Sequence, residues 1–90
     1  MSLGVRIKDP NDIRTYTINW ATWLGTDTIS LSVWELPGDL TNVSESNTPL
    51  TTSTKLGGGV SGQTYTIINR ITTTAGETKQ VSFTLVVSTQ

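Results

Sequence analysis

The sequence contains no cysteine and no histidine among its 90 residues, and charged side chains make up 14% of it. These absences rule out whole classes of chemistry. Without thiols no disulfide compensates for a small core, and redox chemistry says nothing of the compartment. A zinc site would have to be built from carboxylates, and a Ser-His or Cys-His catalytic pair cannot form. The six basic residues are scattered and the formal net charge is −1, so no clustered positive footprint for nucleic acid exists. No apolar run approaches the roughly 18 residues of a membrane span, and no charged-then-apolar stretch in it suggests secretion. Neither a nucleic-acid partner nor a membrane partner is expected. Residues 1–3, Met-Ser-Leu, are expected to be an expression leader, leaving 4–90 as a single domain.

Threonine is abundant, about a fifth of the residues, and it alternates with apolar side chains. That two-residue period belongs to half-buried strands. Val5 and Ile7 make a first strand, stopped by the turn-forming DPND at 9–12. Tyr16, Ile18 and Trp20 share one face of the next. TISLSVWEL is a central strand ending at Pro37-Gly38, and weaker strands follow around Leu40–Val43 and Thr52–Leu56, with the polar SESNTP between them. A long strand runs from Gln63 to about Thr73, and the last carries Val81, Phe83, Leu85 and Val87 on one face. No segment holds helical spacing. Seven strands without intervening helices predict an all-β, immunoglobulin-like antiparallel sandwich. In such a fold Trp34 on the third strand is the buried tryptophan, and the Tyr65 hydroxyl bonds back to the chain at the corner between sheets.

The stretch GGGVSGQT at 57–64 has the glycine spacing of a phosphate-binding loop, but Gln63 stands where that chemistry needs lysine, and a strand follows where it needs a helix. Its glycines, Gly58 and Gly62 among them, are expected to let the chain cross between sheets. Asp9, Asn11 and Asp12 lack the further ligands of a calcium loop and read as a turn. Glu35 and Glu45 are isolated, and no carboxylate pair suggests acid-base hydrolysis. No catalytic residue, cofactor or metal is expected.

Candidate contact residues come from strand parity. With Tyr65, Ile67 and Ile71 inward, facing Phe83 and Leu85 across the core, Ile68 and Val86 point out. If Trp34 and Leu36 face inward, Leu31 and Val33 point out as well. A bulge could instead return Leu31 and Val33 to the core. Without such a bulge, Leu31, Val33, Ile68 and Val86 would gather on one outer sheet face as an interface. A strand edge is a second route to a neighbouring subunit. Trp23, in ATWLGTD, is either a lid on the sandwich end or an anchor for a partner or sugar.

Three patches, YTINWATWLGTDTIS with the downstream WELP, LGGGVSGQTYTIINRITTTAG, and VSFTLVV, resemble a family of small virion structural proteins of tailed bacteriophages and prophages, described as adaptors joining fibre to tail. The resemblance covers about Asp9 to Val87 and is most specific from the glycine loop through Tyr65, Asn69 and Arg70 to Gly76. It implies other virion proteins, or further copies of the chain, as partners, a place in the virion after synthesis in the host cytoplasm, and no cofactor. The alternative is a sandwich module that recognises carbohydrate or a host surface.

Overall fold

The computed structural model describes residues 2–89. Seven strands, β1 (Ser2–Lys8), β2 (Arg14–Asn19), β3 (Ile29–Glu35), β4 (Leu40–Asn47), β5 (Thr51–Gly58), β6 (Thr64–Thr73) and β7 (Thr78–Val87), are joined by short connections and one four-residue helix, α1 (Ala21–Leu24). They form a four-stranded sheet in the order β1-β7-β6-β3 and a three-stranded sheet in the order β2-β5-β4. The result is an all-β sandwich. Six of the seven strands pair antiparallel within the two sheets, whereas β1 pairs parallel to β7 at the edge of the larger sheet.

The core follows from alternation. Tyr65, Ile67, Asn69, Ile71 and Thr73 on β6 and Val81, Phe83, Leu85 and Val87 on β7 are buried, with more accessible residues between them. Phe83 and Leu85 do not face Ile67 and Tyr65 across the core. They lie beside them in the same sheet, as registered pairs, because β6 and β7 form a hairpin. What faces them is the smaller sheet: Tyr16 meets the Phe83 ring at 5.5 Å between centroids, and Leu56 joins the same cluster. Trp34 packs edge-on against Phe83 at 6.5 Å and is shared by both halves of the core.

One buried contact between the layers is polar. Asn69 is wholly buried; its carbonyl accepts the Thr52 hydroxyl at 2.7 Å, and its amide donates to Ser32 Oγ and the Val33 carbonyl, each at 3.0 Å. Trp20 Nε1 donates in turn to Thr52 Oγ1 at 3.0 Å. The Thr52 hydroxyl, the Asn69 amide and the Trp20 indole N–H each find a partner here, which is the condition for burying them without a desolvation penalty of about 1–3 kcal/mol apiece.

Two sequence expectations are corrected. The ATWLGTD segment is not a plain turn: Asn19 Oδ1 accepts the Ala21 N–H at 2.9 Å, one helical turn follows, and Gly25 at φ +63° ends it. A period cannot show in four residues, so no helical pattern was there to read. The SESNTP segment is not all loop either, since Ser44–Asn47 pair with Thr52–Lys55. These residues lie on an edge strand whose side chains are exposed, so polar residues cost little there.

Candidate interaction surface

Among the described residues, the outer face of the four-stranded sheet carries four of the nine exposed large apolar side chains, Val5, Ile7, Leu31 and Val33. On β3 a bulge at Ser30, where Ile29 pairs with Thr73 and Leu31 with Thr72, lets Ile29 enter the core while Leu31 and Val33 point outward. The bulge falls one residue before the point at which it would have returned Leu31 to the core. Leu31 is 56% exposed and Val33 40%. Ile68 and Val86 also face outward, each partly covered by its neighbours.

These four share a face but do not form one patch. Ile68 pairs with Glu35 and Val33 with Arg70, and an exposed ion pair at 2.7 Å joins Arg70 to Glu35. Arg70 also donates to Gln80 Oε1 at 2.8 Å. The apolar groups therefore sit toward opposite corners of the sheet, with threonines and the Arg70 network between them. At one corner the structure adds residues that parity had left without a face. Val5 pairs with Thr84 and Ile7 with Val86, so Val5 and Ile7, 59% and 63% exposed, extend the apolar surface beside Val86. The alternation Val5-Arg6-Ile7-Lys8 carried this signal, but only the pairing of β1 with β7 says which face the apolar pair joins.

Trp23 lies on α1 and is 38% exposed. Its ring meets Trp20 edge-on at 6.0 Å, and Lys79 Nζ stands 5.6 Å from its centroid. A cation over the ring occupies the platform a sugar would use.

The glycine segment closes the opposite end of the fold. Gly58 belongs to β5 rather than to a loop and sits at φ +75°, where an added Cβ would lie 3.0 Å from the Asp39 carbonyl. Val60–Gln63 form a turn closed by Gln63 N–H to Val60 O at 3.1 Å, with Gly62 at φ +88° in the position that a type II turn reserves for glycine. The Tyr65 hydroxyl accepts the Val60 N–H at 2.9 Å and donates to Asp39 Oδ2 at 3.3 Å, tying the crossing to the strand that follows it.

A family model described as podophage GP4 fiber-tail adaptor protein gp77 matches residues 8–86. The chain belongs to this family. A comparison with curated protein sequences returns no match.

The matched span takes in β2 to β6 whole, all of β7 but Val87, and of β1 only Lys8. It contains no group of three or more Asp or Glu residues placed to hold a metal ion among the described residues. Burial also perturbs a titratable group on β2. Burial raises the Tyr16 phenol above its ordinary value, against the opposing pull of Arg14, with Asp12 adding to the rise and Arg6 to the pull. Because the folded-state pKa is the higher one, this contribution to stability is complete below the unfolded value of about 10 and is lost as pH rises through the folded value. Alkaline titration at the phenolate absorbance band should show a late-titrating tyrosine that disappears in Tyr16→Phe. A Tyr16 phenol that titrates at or below the midpoint of free tyrosine would contradict this assignment.

Proposed function

We propose that the chain works as a non-enzymatic structural or adaptor component of a phage or prophage virion, made in the host cytoplasm and acting through contacts with other virion proteins or further copies of itself. Membership of a fiber-tail adaptor family supports the role. The observation that carries the mode of action is the outer sheet face, where Val5, Ile7, Leu31 and Val33 stand exposed with Ile68 and Val86 beside them. Soluble surfaces rarely hold large uncovered apolar areas, and covering each of these side chains contributes on the order of 1–2 kcal/mol before the cost of association. A rigid sandwich with apolar groups at two corners suits a broad partner surface better than a small ligand. The immunoglobulin-like character of the fold, the leader role of residues 1–3 and the single domain over 4–90 belong to this reading. Met1 lies outside the described residues.

Carbohydrate recognition through Trp23 finds less support, since Trp20 and Lys79 already hold that ring. The test is incorporation into particles. Ile7→Asp and Val33→Asp, one at each corner, should each weaken incorporation by roughly 5- to 30-fold while the isolated domain keeps its melting temperature. Full incorporation of the double variant would refute the outer-face contact.

A further inference from the structure

The two layers of the sandwich part along the margin where β1 and β2 run, each the edge strand of its own sheet. Register puts Arg6 and Lys8 of β1, and Arg14 and Tyr16 of β2, on the inward sides of those strands, opposite the sides that carry Val5, Ile7 and Thr15. In mid-sheet such positions are core. Here Arg6, Arg14 and Tyr16 line a cleft of about 260 Å³ together with Ile18 and Phe83.

The polar groups around this cleft are unequally satisfied. Lys8 is buried, and its ammonium donates to the carbonyls of Gly58 at 2.7 Å and Asp9 at 2.8 Å. Arg6 donates to the Val5 carbonyl, and the Arg14 guanidinium makes no hydrogen bond and no ion pair with the described residues. The Tyr16 hydroxyl is buried with no hydrogen-bond partner in the protein. Asp12 acts on both Lys8 and Tyr16 from nearby, and Asp9 acts on Lys8 while its Oδ1 accepts the Asn11 N–H at 2.8 Å. Counting three cations against these two carboxylates leaves the margin net positive in a chain whose overall charge is −1.

We propose that this margin is the docking site for an extended acidic segment of a partner polypeptide, which adds as a strand beside β2 and places one carboxylate side chain in the cleft between Arg6 and Arg14. The backbone of β2 pairs on one side only, with β5, so its other side offers the N–H and C=O groups that a polypeptide can match and that a phosphate or sugar cannot. The guanidiniums supply forked donors suited to a carboxylate, and the buried phenol gains the acceptor it lacks within the chain. Inward-pointing charges also explain why two copies would not pair through this margin, since Arg14 would meet Arg14. The contact rests on the adaptor reading only in taking a protein as the partner, and it lies on a different surface from Ile7 and Val33.

The whole chain can be titrated calorimetrically with two capped synthetic peptides, one alternating glutamate with threonine and one alternating lysine with threonine, and hydrogen exchange followed along β2. The acidic peptide should bind one to one and slow exchange over residues 15–18, while the basic peptide should not bind. Arg14→Glu should weaken the acidic peptide by at least about tenfold and admit the basic one, and Tyr16→Phe, which keeps the ring, should weaken the acidic peptide several-fold. If Arg14→Glu does not fold, Arg14→Gln decides by the same loss. Equal binding of the acidic peptide to the parent and the Arg14 variant overturns the proposal. So does equal competition by heparin without protection of β2, which would mark a general anion site, and so does self-association relieved by Glu45→Gln, which would make a second copy the occupant. Because no virion protein enters the titration, its failure is separable from failure of the outer-face contact in particles.

Discussion

Asn69→Ala is expected to lower the thermal midpoint by roughly 10–20 °C, a loss of about 2–4 kcal/mol for a domain of this size. The side chain is wholly buried and makes three hydrogen bonds, one across the layers to Thr52 and two within its sheet to Ser32 and Val33. Alanine would leave a cavity and strand those partners, and each buried group left unpaired costs more than an average hydrogen bond contributes. The Thr52 hydroxyl would still accept from Trp20 but would have nothing in place to receive its own proton. A cycle with Thr52→Ala separates the shared bond from the cavity, because only the bond makes the two losses non-additive. A midpoint shift below about 3 °C for Asn69→Ala would show that this network does not hold the layers together.

The second large effect is expected at Gly59→Ala, about 2–4 kcal/mol from two sources. Gly59 has φ +94°, which an L-residue adopts only at a cost on the order of 1–2 kcal/mol, and its added Cβ would lie 2.8 Å from Val87 Cγ2 and 3.2 Å from Leu40 Cδ2. Both neighbours belong to the buried cluster, so relief means displacing core side chains rather than a surface tip. Gly62 supplies the comparison. At φ +88° it is subject to the same backbone cost, yet a Cβ there would meet nothing within 4 Å. Urea unfolding of the two variants isolates the steric part, and equal losses would mean that crowding at Val87 contributes nothing.

Where sequence was a good guide, the cause was parity. Every second residue is buried along the ten residues of β6 and from Val81 to Val87 on β7, so Ile67, Ile71, Phe83 and Leu85 could be placed without knowing the partner strand. Tyr65 could be placed because a tyrosine at that corner has a specific bond to make. Parity fails where register breaks. Residues 29–33 fit two readings, and the choice depends on a bulge at Ser30, whose hydroxyl donates to the Thr72 carbonyl 42 residues away. Nothing local fixes that position. The same limit hid the cationic cleft: Arg6 and Arg14 are eight positions apart on strands of different sheets, and they come together only because both strands lie at the margin. A charged residue on the inward side of a strand is uninformative until that strand is known to be an edge.

The parallel pairing of β1 with β7 also orders events during synthesis. β1 takes its only sheet neighbour from β7, so the larger sheet stays open at that side until β7 has emerged from the ribosome. Such distant closure is slow compared with hairpin formation. Until it happens the β1 backbone is unpaired, while Val5 and Ile7 are open to solvent both before and after closure.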